Sequence, residues 1–132
     1  MAAFWQAVGH HQVMDPTQSM DPAHAMDPAP MVTVFRSRLR PGVEDAYEPV
    51  AVRMEALARS MPGFVDFKGF VAPDGERVSV ITFADPESQR AWRDHPDHRE
   101  AQRLGRDEFY ATYTIQVCRL QRQLRFDHTA DG

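Results

Sequence analysis

The sequence is nearly free of cysteine, which excludes a disulfide framework and a cysteine-based zinc site. Cys118 is the single cysteine among 132 residues, so no internal disulfide can form. No cysteine and histidine spacing is typical of zinc binding, and we predict no metal ligands. A lone cysteine fits a reducing cytoplasm. Because Cys118 lies among strand-forming residues, we expect it to be a small buried hydrophobic side chain.

Long apolar runs and clusters of basic residues are also missing. No segment approaches the roughly 20 apolar residues that cross a bilayer, and the N-terminus lacks the basic start and apolar stretch of a signal peptide. We therefore expect no membrane partner and a cytoplasmic location. The formal net charge is −4, and no run of lysine or arginine offers a footprint for phosphates. Nucleic acid is consequently not expected as a partner.

Residues 1–30 differ in composition from the remainder of the chain. A Met-Asp-Pro triplet occurs three times, at residues 14–16, 20–22 and 26–28. Proline at this spacing blocks regular helix, and the segment has few branched apolar side chains for a core. We interpret residues 1–30 as a disordered or flexible tail, residues 31–121 as one folded domain and residues 122–132 as a flexible C-terminal tail.

The patterned region begins with a strand and an amphipathic helix. Residues 31–39 alternate in polarity and are rich in β-branched side chains, which predicts a strand. Apolar residues at helical spacing follow, and Pro62-Gly63 ends that helix. Asp45 and Glu48 have the spacing of a capping box, which places the start of the helix near Ala46.

The remaining elements complete a recognisable order. They are strands at residues 64–71 and 77–83, helical segments at about 86–94 and 97–106 separated by Pro96, and a final strand at 109–120. Asp85 is expected to cap the first of these helical segments. The order β-α-β-β-α-β predicts an α+β fold of the ferredoxin-like type.

One face of the predicted sheet has no helix to cover it. Val32 and Val34 of the first strand lie on this face, where water would meet an apolar patch. A second copy packing sheet against sheet would bury it, so we expect a homodimer. The alternative is that the N-terminal tail covers the same face.

Several motifs of the patterned region resemble those of the antibiotic biosynthesis monooxygenase family of dimeric α+β barrels. They are Met61-Pro62-Gly63-Phe64, Phe83-Ala84-Asp85-Pro86, the stretch from Trp92 to His98, Ala101-Gln102, Gly105-Arg106 and Phe109-Tyr110. The resemblance covers about residues 31–121. It implies a dimeric α+β barrel, and it is compatible with oxygenation of polyketide phenols without metal or flavin, with haem degradation, or with no activity at all.

The haem-degrading branch of that family can be compared at three positions. Trp92 matches its pocket tryptophan, but Gln102 stands where its ligand histidine is expected and Ser37 where its strand-one asparagine is expected. Glutamine is a poor iron ligand. We therefore expect no cofactor, with haem as the alternative and with His95 or His98 as its substitute ligand.

A cofactor-free oxygenase needs a base that deprotonates an electron-rich phenol, and a pocket that holds the resulting anion beside O2. His98 is the candidate base, because a helix break at Pro96 would bring it close to Trp92. His95 is the second candidate. The alternative for each histidine is a surface or loop role, and for Trp92 a place in the core.

Other side chains are candidates for binding the substrate. Ser37 and Tyr113 carry hydroxyl groups on apolar strands, and buried hydroxyl groups need partners. The aromatic and flexible members of the predicted pocket are Phe35, Met54, Phe67 and Phe83. For all six residues, ordinary core packing is the alternative interpretation.

Three functional hypotheses follow. The first is a small dimeric monooxygenase that acts on an aromatic or polyketide-like molecule and O2. The second is a haem-binding or haem-degrading protein. The third is a non-catalytic dimeric module that binds a small ligand or a partner, and it predicts a closed apolar core without a cavity.

Overall fold

The computed structural model describes residues 29–128. Its elements are β1 (Met31–Leu39), α1 (Glu44–Ser60), β2 (Phe64–Val71), β3 (Arg77–Phe83), α2 (Pro86–Asp94), α3 (Pro96–Leu104), a π turn (Gly105–Phe109) and β4 (Tyr110–Arg119). None of the helices in this part of the chain has the length and apolar character that crossing a bilayer requires.

The four strands form one antiparallel sheet in the order β2-β3-β1-β4. Phe35 of β1 lies opposite Ser79 of β3 and Ile115 of β4, so the side chains of these three residues share one face. The α+β fold of the ferredoxin-like type predicted from the sequence is confirmed. The helical region before the last strand is divided near Pro96 into α2 and α3, as the sequence predicted.

Helix α1 begins earlier than the sequence predicted. It starts at Glu44 rather than near Ala46, and the Val43 carbonyl accepts the first helical hydrogen bond from the Tyr47 N–H at 2.9 Å. Asp45 therefore lies inside the first turn and no side chain caps the helix. Its carboxylate still favours the helix there, because the first turn carries the positive end of the helix dipole.

Side-chain caps begin both α2 and α3, and a proline helps to form the break between them. The Asp85 carboxylate accepts a hydrogen bond from the Ser88 N–H at 2.8 Å, which confirms the predicted cap. His95 then adopts an extended conformation, and its Nδ1 accepts a hydrogen bond from the Asp97 N–H at 3.1 Å. Pro96 occupies the first position of α3, where its missing N–H costs nothing.

Arg40, the residue after β1, holds the π turn through its guanidinium and through its backbone N–H, which donates to the Phe109 carbonyl at 2.8 Å. Arg40 donates hydrogen bonds of 2.8 to 3.0 Å to the backbone carbonyls of Asp107, Arg106 and Tyr110. The last helical segment thus does not run on as α-helix to Arg106, and the final strand begins at Tyr110 rather than at residue 109. Arg40 fixes the point at which the chain enters β4.

The core lies between α1, α2 and the β2-β3 half of the sheet. Its most buried members are Ala58, Ile81, Phe83 and Trp92, and Leu57, Met61, Phe64 and Phe67 pack against them. Phe64 meets Phe83 edge-on at 5.9 Å between ring centroids. The core therefore supports the inner side of Trp92.

Strand β4 is an edge strand that the helices leave open. Tyr113, Ile115 and Val117, which lie on the helix-bearing face, are 41%, 51% and 46% exposed. Cys118 on the opposite face is also exposed, so the expectation that it would be buried was wrong. It lies opposite Val32, on the face that no helix of the described chain covers.

Candidate functional site

A cavity of about 660 Å³ lies between the helices and the helix-bearing face of the sheet. This volume lies within the range of cavities that hold small organic ligands. Aromatic and apolar side chains from every layer line it: Phe35, Tyr47, Met54, Phe67, Ile81, Trp92, Phe109, Tyr110 and Tyr113. The cavity can therefore receive a planar aromatic molecule.

His98 stacks directly on Trp92 at the inner end of this lining. The two ring centroids are 4.2 Å apart and the rings are inclined by 22°. The α2–α3 break at Pro96 turns the chain so that two residues six positions apart can stack. His98 Nδ1 lies 3.0 Å from the Trp92 carbonyl oxygen. A carbonyl only accepts, so Nδ1 carries the proton and Nε2 keeps the free lone pair.

The surroundings of His98 favour its neutral form. Burial lowers the pKa of His98, because the imidazolium loses its hydration. Hydrogen bonding to the backbone of Trp92 and of Arg93 opposes this change, and the neighbouring His95 adds to it. A neutral imidazole with a free Nε2 at neutral pH is the state that a general base requires.

Three buried polar side chains on the cavity lining have no hydrogen-bond partner within residues 29–128. Trp92 Nε1 and Thr33 Oγ1 are sealed from solvent without a partner. Gln89, one turn before Trp92 on α2, is 5% exposed and makes no side-chain hydrogen bond. Buried polar groups in native proteins are nearly always paired. The Gln89 amide can bind an oxygen atom of a ligand, whereas Trp92 Nε1 and Thr33 Oγ1 are out of reach of water and become available only when neighbouring side chains move.

Tyrosine side chains form the opposite end of the cavity. The Phe35 ring lies 5.3 Å from Tyr110 and 5.7 Å from Tyr113, and Tyr47 lies 5.9 Å from Tyr110. Burial is the main cause of a strongly raised pKa at Tyr110, and the Tyr47 hydroxyl group contributes. Tyr110 therefore remains a neutral hydrogen-bonding group and is not a base.

The structure brings together six of the nine residues that the sequence nominated. Phe35, Met54, Phe67, Trp92, His98 and Tyr113 all line the cavity. His95 instead caps α3, Phe83 is fully buried behind Trp92 at 5.5 Å between ring centroids, and Ser37 is buried in β1 at 2% exposure. Those three do not belong to the cavity lining.

Sequence reasoning did not nominate Thr33, Gln89, Tyr47 or Tyr110. Thr33 shares the β1 face with Phe35, and Gln89 lies three residues before Trp92, so strand and helix spacing alone would have placed both beside nominated residues. What spacing does not reveal is that their polar groups lack partners. Only the three-dimensional packing shows that.

The residue at the expected haem-ligand position is engaged elsewhere. Gln102 Nε2 donates a hydrogen bond to the Arg93 carbonyl at 3.2 Å. Within residues 29–128, no group of three or more histidine, cysteine, aspartate or glutamate side chains is arranged to hold a metal ion. The donor set around the cavity thus does not fit haem iron at Gln102.

The chain matches a family model and several known proteins. The model described as antibiotic biosynthesis monooxygenase matches residues 30–104. The uncharacterized protein YqjZ of Bacillus subtilis (strain 168) is 28% identical over 102 residues, which cover 77% of this chain and 90% of that protein.

Solved structures share the fold at low identity. SnoaB, a cofactor-independent oxygenase from Streptomyces nogalater, superposes with a TM-score of 0.62 at 19% identity, covering 73% of this chain and 97% of SnoaB. Protein SO0527 from Shewanella oneidensis has a TM-score of 0.64 at 12% identity, covering 71% of this chain and 93% of that one.

Proposed function

Because the chain belongs to the antibiotic biosynthesis monooxygenase family, we propose that it oxygenates an electron-rich aromatic or polyketide-like phenol with O2 and without metal or flavin. The observation that carries this proposal is the neutral His98, stacked on Trp92 with Nδ1 bonded to a backbone carbonyl. The likeness to a cofactor-independent oxygenase supports the same reaction type.

The proposed reaction begins with a proton transfer. His98 Nε2 takes the proton of the substrate hydroxyl group, and the phenolate that forms is a far better electron donor than the phenol. One electron passes to O2, and the superoxide and the phenoxyl radical combine to form a C–O bond. The imidazolium returns its proton to the peroxide. Loss of water then leaves a quinone, so that one oxygen atom enters the product and the other leaves in water.

The cavity supplies the positions that this sequence needs. Its aromatic lining holds the ring of the substrate, and a movement of neighbouring side chains would let the unpaired Trp92 Nε1 donate a hydrogen bond to the phenolate oxygen. The Gln89 amide can donate or accept, so it can hold a second hydroxyl or carbonyl group. A closed apolar core, as the non-catalytic module requires, has neither the cavity nor these unpaired groups.

Oxygen consumption tests the proposed reaction. Purified protein with a hydroxyanthrone should consume one O2 for each quinone formed, and the rate should be unchanged by a metal chelator or by added haem. The measurements are an oxygen electrode and quinone absorbance. A rate that requires haem, together with a saturable Soret shift, would replace this proposal by the haem alternative. No consumption with any electron-rich phenol would remove the proposed reaction, and the absence of a Soret shift would remove the haem alternative.

We also propose that the protein is a homodimer that joins through the uncovered sheet face. Phe70 is 50% exposed, and Val34 and Val80 of neighbouring strands lie opposite one another on the same face. Polar side chains such as Lys68 and Gln116 share this face, but exposed apolar groups on a sheet are typical of an interface between subunits. Burial of this face would also protect the thiol of Cys118.

A charge placed on this face should separate the subunits. We expect Val34→Asp to sediment as a monomer at micromolar concentrations at which the wild type is a dimer, and its Cys118 thiol to react several-fold faster with a thiol reagent. Val52→Asp is the matched control, because Val52 is 63% exposed on α1 and away from the sheet. A wild type that sediments as a monomer would contradict the proposal.

A further inference from the structure

The acidic side chains that line the cavity already have arginine partners. Glu48 lies 4.0 Å from Arg77, Asp94 lies 2.9 Å from Arg93, and Glu55 is paired with Arg59 at 2.9 Å. Each of these carboxylates is thus neutralised close to its own position. The acidic part of the lining therefore leaves little negative charge for a ligand to meet.

Two arginines on the same lining have no ion pair within the described part of the chain. They are Arg99 on α3 and Arg106 in the π turn. The pKa of Asp94 is lowered chiefly by its hydrogen bonds with Arg93, and the positive charges of Arg99 and Arg90 contribute to the same effect. The whole chain carries a net charge of −4, so this concentration of positive charge is local.

The backbone fixes Arg106 relative to the proposed base. His98, Gln102 and Arg106 follow one another at intervals of four residues, and all three line the cavity. His98 and Gln102 lie on one face of α3, and Arg106 follows in the π turn that continues it. The hydrogen bond from Arg40 to the Arg106 carbonyl, at 2.8 Å, holds the π turn in place at the end of α3. Turns of the π type are frequent at functional sites.

From this charge distribution we infer that the substrate is an aromatic acid. Its phenolic hydroxyl group lies at His98, and a carboxylate elsewhere on the molecule binds the guanidinium groups of Arg106 and Arg99. A guanidinium forms two parallel hydrogen bonds with a carboxylate, which makes it well suited to this recognition. The inference rests on the proposed function, since it takes from it the aromatic ring and the hydroxyl group.

The inference predicts a difference in affinity between two ligands of nearly the same shape. One is a hydroxynaphthoate whose hydroxyl and carboxylate are on opposite rings, and the other is its neutral methyl ester. Titration calorimetry under anaerobic conditions measures binding without turnover. We expect the acid to bind the wild type about tenfold more tightly than the ester, because charge-assisted hydrogen bonds are worth more than neutral ones. Added salt should reduce the difference.

The doubly substituted variant R99Q/R106Q should bind both ligands with equal affinity, at the level of the ester. Arg90→Gln is the matched control, since Arg90 is an exposed arginine of α2 that does not line the cavity, and it should keep the tenfold preference. Equal binding to the wild type, no binding of either ligand, or a preference that survives in R99Q/R106Q would overturn the inference. Preferential binding of the acid without oxygen consumption would support the inference that the ligand is an aromatic acid and would overturn only the proposed reaction.

Discussion

Replacing His98 by asparagine should lower kcat/KM for oxygenation by about a hundredfold or more, which is the range associated with loss of a general base. Asparagine places an amide N–H where His98 Nδ1 stands, so the hydrogen bond to the Trp92 carbonyl can persist. What the variant loses is the lone pair of Nε2. The measurement is the initial rate of oxygen consumption, with the quinone followed by absorbance.

His95→Asn provides the matched control for this experiment. His95 is three residues away, and its Nδ1 caps α3 by accepting a hydrogen bond from the Asp97 N–H. Asparagine is also a good capping residue, so the helix should be retained. We expect its rate to stay within about twofold of the wild type, because exchange of one cap for another leaves His98 and Trp92 in place. Equal losses in both variants would contradict the assignment of the base to His98.

The same proton transfer sets the direction of the pH dependence. Because burial lowers the pKa of His98, the imidazole should remain neutral to below its usual titration range. The value of kcat/KM should therefore be constant near neutral pH and fall as the pH drops through a pKa below about 6.5. In His98→Asn this acid limb should disappear from the residual rate. A limb above pH 7 in the wild type would point to a different base.

Most of the fold follows from local patterns in the sequence. Alternation marks β1, and Pro62-Gly63, Asp85-Pro86 and Pro96 mark the ends and starts of helices by removing backbone donors or supplying caps. The predicted start of α1 was wrong because it relied on one local signal. Asp45 and Glu48 have capping-box spacing, yet α1 begins at Glu44 without any side-chain cap.

The candidate site, like the fold, was predictable from the sequence in part. The nearness of His98 to Trp92 was predictable, because a break at Pro96 folds one short helix back against another. The chemistry of the site was not. Whether Thr33 Oγ1 and Trp92 Nε1 find partners depends on which atoms of distant strands and helices surround them. No periodicity in the sequence records this. The exposure of Cys118 was missed for a similar reason, since β4 is covered by no helix.

The position of Trp92 depends on how closely α2 packs against the end of α1, and one glycine controls that distance. Gly63 has φ +82°, and a β-carbon at this position would lie 2.1 Å from Ser88 Oγ and 2.5 Å from Ser88 Cβ. Ser88 is also held by the Asp85 cap, at 2.8 Å, and does not move freely. The Gly63 carbonyl in turn accepts a hydrogen bond from the Ala84 N–H at 2.7 Å. A side chain here would have to displace the start of α2.

Gly63→Ala should therefore lower the free energy of unfolding by about 3 kcal/mol, the sum of a left-handed backbone penalty and an overpacking penalty. Gly42→Ala separates the two contributions. Gly42 has the same φ of +82°, but a β-carbon there meets nothing within 4 Å. We expect that control to lose only about 1 kcal/mol, because it retains the backbone penalty alone. Urea unfolding of both variants measures the difference.

A double substitution then identifies the contact. Ser88→Gly removes both atoms that the new β-carbon would meet, so Gly63→Ala should cost no more in that background than Gly42→Ala costs in the wild type. The ligand-binding readout should follow the same pattern, since a displaced α2 carries Gln89 and Trp92 away from the cavity wall. If Gly63→Ala were as mild as Gly42→Ala in the presence of Ser88, the close approach of α2 would not be what positions Trp92.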